Sequence, residues 1–152
     1  MCENEKPNAP SKEAEIKPFP ENDDAVWVGP PHPVSQLRLK VFPDSKNLSK
    51  EEKDFYVQCK ETQEWNHNYW EAHNQDFQKS RKLYIEKISK EKNLTTDEVA
   101  QSEDMANFYQ HFLKINHSKH ISYNWEWYRK NLHLLYLGAK VNFAKLKKFF
   151  IS

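Results

Sequence analysis

From Asp44 onward the chain contains no proline and one glycine, Gly138. Its apolar residues recur at intervals of three and four, the helical period. Phe55, Cys59, Thr62, Asn66, Tyr69, His73 and Phe77 share one face, which is continuous but only partly apolar. Ahead of them, Ser49-Lys-Glu-Glu has the form of a capping box, with Ser49 accepting a first-turn amide while Glu52 reaches back. A helix is therefore expected from about residue 50 to about 90. The stretch Asn93–Glu98, "NLTTDE", interrupts it, with Thr95 or Thr96 placed to cap a short turn. A second helix is expected from near Ser102, with Met105, Phe108, Tyr109, Phe112 and Leu113 as its buried stripe. A third is expected from about 121 to 150. There Trp125, Tyr128, Leu132, Leu135, Ala139, Phe143, Leu146 and Phe150 keep the spacing over about seven turns. Nothing alternates as a strand would. The fold class is all-α: an irregular bundle of about three helices over residues 49–152.

The first third reads differently. All eight prolines lie at or before Pro43. Residues 1–25 are polar and Pro-spaced, too poor in apolar groups to offset the entropy of ordering, and are expected to be a disordered tail. Residues 26–48 are expected as an extended Pro-rich arm. It opens with "WVGPPHP", where the prolines fix the backbone and Gly29 permits a bend. Trp27 on such an arm serves either as an anchor against the domain or as a partner-binding epitope.

Charge sharpens one end of the chain. The whole is nearly neutral, at +1, but residues 127–152 hold six cations and no acid. Lys140, Lys145, Lys147 and Lys148 gather there beside apolar residues, a pattern suited to contact with an anionic membrane surface, or to the C-terminus of a core-closing helix. No recognition motif accompanies the charge, so nucleic acid is not the expected partner. Two cysteines, Cys2 and Cys59, do not make a disulfide framework. No Gly-rich loop, G-x-S-x-G, HExxH or CxxC occurs, and no catalytic set or metal site is assigned. Cys59 and His73 lie on nearly one helix face, so a haem or redox cofactor held by Cys59 and a histidine such as His120 is an alternative.

The densest chemistry lies in "KHISYNWEWYRKN", Lys119–Asn131, with four aromatic rings among cations. Helical spacing puts Trp125 and Tyr128 on the bundle stripe and turns Tyr123 and Trp127 toward other faces. Rings with polar tips beside cations suit a surface that is half buried and half wet.

"WVGPP", "ETQEWNHNYW", "DMANFYQHFL", "KHISYNWEWYRKN" and the following "AKV" resemble, in order, the mitochondrial cytochrome c oxidase assembly factor 8 family, also called apoptogenic protein. The likeness runs from about Trp27 to Lys148. Its matched positions include Trp65, Trp70, His120, Tyr123, Trp127 and Tyr128, with Trp127 in the set and Trp125 outside it. The resemblance implies a non-enzymatic factor that supports assembly and oxidative-stress protection of cytochrome c oxidase. It implies contact with oxidase subunits or assembly intermediates, and with anionic lipid, on the matrix side of the inner membrane. On that reading Trp27, Trp65, Trp70, His120, Tyr123, Trp127 and Tyr128 form the partner-binding surface. A membrane-surface regulator of apoptosis, acting on cytochrome c release, is a further alternative. The localisation follows from the resemblance, because "MCENEKPNAPSKEAE" has neither a secretory nor a presequence pattern.

Overall fold

A computed structural model describes residues 26–43 and 48–151, so the tail expected over 1–25 lies outside the described residues. Two strands come first, β1 (Trp27–Pro31) and β2 (Arg38–Val41), paired antiparallel. Three helices follow: α1 (Lys50–Lys92), α2 (Thr96–Ala100) and α3 (Asp104–Ile151). The helical part is a long antiparallel hairpin of α1 and α3, closed at one end by α2.

The capping box that opens α1 is formed as expected. Ser49 Oγ accepts from the Glu52 amide at 3.3 Å, and the Ser49 amide donates to Glu52 Oε2 at 2.9 Å. Asn93 ends the helix in the left-handed region, at φ 56°, where asparagine is tolerated. Thr95 then builds a second capping box with Glu98 to start α2. Val99 of α2 is fully buried and plugs the closed end, against Ile85, Ile88, Met105, Phe108 and Phe112. Burying side chains of this kind contributes about 1.5–3 kcal/mol each. Lys92 Nζ reaches both Asp104 carboxylate oxygens at 2.7 Å across this turn. At the open end Lys145 Nζ lies 2.9 Å from Glu52 Oε1, so ionic contacts bracket the helix pair.

Three expectations are corrected. The arm over 26–48 includes a hairpin, and Gly29 serves a close approach within it. A Cβ there would stand 3.3 Å from the Leu39 carbonyl oxygen, beside the irregularity between Val28 and Pro31. Next, the helices expected from 102 and from 121 are one. The polar stretch "NHSKHIS" suggested a break, yet Asn116 is buried and donates to the Phe112 carbonyl at 3.0 Å, one turn back inside the helix.

Finally, the long apolar stripe of α3 is not the bundle stripe. Trp125, Tyr128, Leu132, Leu135, Phe143 and Phe150 are 61–81 % exposed. Once α3 is continuous, Met105, Phe108 and Phe112 fix which side meets α1. That side continues through Asn116, His120, Tyr123, Asn131, Leu134 and Val141, which are all buried or half-buried. Tyr109 and Leu113, expected in the core, are likewise exposed.

Candidate functional site

The middle of the hairpin holds a layer of rings. On α1, Trp65, Tyr69, Trp70 and His73 face Tyr123 and His120 of α3. Tyr123 stacks on Tyr69 at a centroid distance of 4.1 Å and on Trp65 at 5.2 Å. Its hydroxyl accepts from Trp70 Nε1 at 2.9 Å and donates to Asn66 Oδ1 at 2.6 Å. Tyr69 Oη lies 3.1 Å from His120 Nδ1, and the His120 and His73 rings meet edge to face at 4.7 Å. Lys130 Nζ covers the Trp65 ring at 5.3 Å. Burial raises the Tyr69 phenol pKa, with Tyr123 adding to it. Burial also lowers the His73 pKa; His120 and Lys119 act the same way and Asp76 opposes them. Four of the residues expected to bind a partner, Trp65, Trp70, His120 and Tyr123, therefore come together, and their polar tips bond within the layer, to one another and to Asn66 and Tyr69 of α1.

The others lie apart from that layer. Trp127 is 37 % exposed and lines a groove, whereas Tyr128 is 61 % exposed on the outer side of α3. Trp27 stays on β1, 39 % exposed. The groove, of about 580 Å³, runs between the hairpin and the two helices and is lined by Phe42, Phe55, Tyr56, Cys59, Trp127 and Leu134, with Arg38 and Lys40 along it. Burial raises the Cys59 thiol pKa against an opposing pull from Lys40, so the thiolate is disfavoured. Cys59 and His120 are not brought together. Cys59 shares its groove with Trp127 and Asn131, seven and more residues along α3 from His120, or about 10 Å at helical rise.

Spacing alone missed the docking of the β hairpin. Gln63 clamps Lys40, giving Nε2 to its carbonyl at 2.9 Å and accepting its amide at 2.7 Å. Asn74 donates to the Val34 carbonyl at 2.8 Å, and His67 Nδ1 lies 2.9 Å from the buried Ser35 Oγ. His32, His67 and Glu71 each place a ligand-type atom within 4.8 Å of the others. Yet His32 Nδ1 accepts from the Val34 and Ser35 amides, at 3.3 and 3.2 Å. That leaves the proton of the neutral ring on Nε2, which is then a donor and not a ligand. The cluster ties down a turn, and no part of it showed in sequence spacing.

The lysines divide. Lys145 is held by Glu52, whose carboxyl is pulled down to about 2 by hydrogen bonds first from Lys145 and then from Ser49. Lys140 lies over the Tyr136 ring at 4.8 Å, and Lys140 and Lys147 line a shallow groove with Glu51 and Asp54. Among the described residues no helix is long and apolar enough to cross a membrane.

Comparison of the sequence with known proteins assigns it to a family. The family described as Cytochrome c oxidase assembly factor 8 matches residues 25–147. The chain belongs to that family. A family protein of Caenorhabditis briggsae, named as mitochondrial, is 35 % identical over 78 % of this chain and 82 % of its own length. Cytochrome c oxidase assembly factor 8 of Bos taurus is 32 % identical over 91 % of this chain and 74 % of its own. The Homo sapiens protein of that name is 35 % identical over 79 % of this chain and 61 % of its own. No solved structure matches the chain. Tyr123 and Trp127 lie on the side toward α1 and its groove, while Trp125 points outward.

Proposed function

We propose that this chain is a mitochondrial, non-enzymatic factor that supports assembly of cytochrome c oxidase. It acts by protein contact at the matrix side of the inner membrane and protects the oxidase under oxidative stress. The family name supports the pathway, and the names of its relatives support the compartment. The observation that carries the mode of action is the outer side of α3. Large apolar side chains from Ile121 to Ile151 stand exposed along a helix that is pinned firmly on its other side. Monomeric proteins rarely show so long an apolar surface unless something covers it. The ring layer supports contact rather than chemistry, since the polar tips of Trp70, Tyr123 and Asn66 close on one another. Its role is to hold α3 rigid so that the outer side is presented whole.

The test uses mitochondria from cells lacking the protein, with the chain supplied behind a targeting sequence. Native gels compare assembled cytochrome c oxidase with the other respiratory complexes. The expected result is a selective loss of the oxidase that the added chain restores. An undiminished oxidase in the absence of the protein would overturn the reading.

A further inference from the structure

We propose that the groove between the β hairpin and the two long helices binds a single-chain anionic amphiphile, an apolar body ended by one carboxylate. The inference goes beyond the assembly role and does not rest on it. The groove's volume, about 580 Å³, lies within the range of about 300–1,000 Å³ typical of small-molecule sites. Its walls come from three elements. Arg38 and Lys40 of β2, and Phe42 just after it, follow at steps of two and so project to one side of the strand. Phe55, Tyr56 and Cys59 come from α1, and Trp127 and Leu134 from α3. Gln63 of α1 holds both backbone groups of Lys40, which fixes the strand wall to the helix wall. A ligand therefore meets a formed site and does not have to order one.

The polar groups select the ligand. Most are already engaged: Gln63 on the Lys40 backbone, Asn66 on the Tyr123 hydroxyl, Asn131 on the Trp127 carbonyl. The two cations are not. Among the described residues neither Arg38 nor Lys40 pairs with a carboxylate, and none of those lining the groove is acidic. The Arg38 guanidinium reaches the Gly29 carbonyl at 3.5 Å, which occupies one of its five N–H groups. Lys40 lies near enough for its charge to act on the Cys59 thiol. The groove thus offers aromatic and aliphatic walls with two positive charges beside them. An anion with an apolar body answers both features: the body supplies affinity and the charges choose the head group.

Two other occupants fit less well. An extended peptide adds to a strand through main-chain bonds, yet both backbone groups of Lys40 are spent on Gln63. A bilayer surface is flat, whereas these residues line a concavity between three elements.

Cys59 reports on the groove, and the chain's other cysteine, Cys2, serves as an internal reference. The purified whole chain is alkylated with N-ethylmaleimide at rising concentrations of laurate, kept below those at which it forms micelles. Mass spectrometry follows each thiol. Saturating laurate should slow alkylation of Cys59 relative to Cys2 roughly tenfold. Dodecanol, the same chain without the charge, should need roughly tenfold more for equal protection. With Arg38→Glu and Lys40→Glu together, the half-protecting concentration of laurate should rise roughly tenfold or more. Each rate is compared with that of the same chain without ligand, because Lys40 also acts on the thiol. Circular dichroism checks that the charge-reversed chain folds, and the comparison of laurate with dodecanol needs no variant. Absence of protection by laurate would overturn the inference. So would equal protection by dodecanol, or an unchanged half-protecting concentration in the folded charge-reversed chain. Protection by phosphatidylglycerol vesicles but not by monomeric laurate would also overturn it, in favour of a membrane surface.

Discussion

The two sides of α3 invert the usual relation between polarity and burial. The side toward α1 contains Asn116, His120, Tyr123 and Asn131 and is buried or half-buried; the side away from it contains Trp125, Leu132, Leu135 and Phe143 and is exposed. The inner side tolerates its polar groups because each of those described bonds finds a partner: Asn116 with Phe112, His120 with Tyr69, Tyr123 with Trp70 and Asn66. The outer side keeps apolar groups that the described fold leaves mostly uncovered. On this helix apolar character alone does not mark the buried side. Met105, Phe108, Phe112 and Val141 are buried while Trp125, Leu132 and Leu135 are exposed, and polarity with matched partners marks much of where the hairpin closes.

The sharpest break between the two sides is expected in stability. Phe108→Ala, at the closed end of the inner side, removes a ring that is 5 % exposed. It should cost about 3–5 kcal/mol in urea unfolding, because the rigid neighbours leave a cavity. A loss under about 1 kcal/mol would place this ring outside the structural core. Tyr123→Phe keeps the stack but deprives Asn66 of a donor and Trp70 of an acceptor. It should cost about 1–3 kcal/mol, measured the same way. Leu132→Ala, at 66 % exposure on the outer side, should change stability by no more than about 0.5 kcal/mol.

The smallest effect concerns the open end, where Glu52 meets Lys145. The folded-state pKa of Glu52 is depressed to about 2, below the value of about 4.3 for an unperturbed glutamate. Its contribution is therefore fully present above that unperturbed value and is lost as pH falls toward the folded one, since the unfolded chain binds the proton first. The melting temperature of the native chain should fall faster than that of Glu52→Gln between about pH 5 and pH 2. Parallel curves for the two chains would show that the ionic contact does not persist in solution.

Much of the fold was legible in the sequence. The Ser49 capping box, the span of α1, its partly polar contact side and the interruption near Thr95 all follow from spacing and capping chemistry. The side of α1 read as Phe55, Cys59, Asn66, Tyr69, His73 and Phe77 does meet α3 or the groove beside it. What misled was the assumption that the most apolar stripe of α3 must be the buried one. Spacing rules detect a stripe but cannot say what covers it, and here no other described element packs over it. The hairpin was hidden for a related reason. It is held to α1 by Gln63, His67 and Asn74 through specific hydrogen bonds, and such bonds leave no periodic trace. The ring set Trp65, Trp70, His120 and Tyr123 was legible as a group, though its bonds close inside the hairpin, one within the set and the others to Asn66 and Tyr69.

The most direct measurement separates the two sides in one experiment. A chain carrying Leu132→Glu and Leu135→Glu is returned, with a targeting sequence, to mitochondria that lack the protein, and assembled cytochrome c oxidase is quantified on native gels. The account predicts a chain of unchanged helicity and melting temperature that fails to restore the oxidase. Full restoration by that folded chain would contradict it.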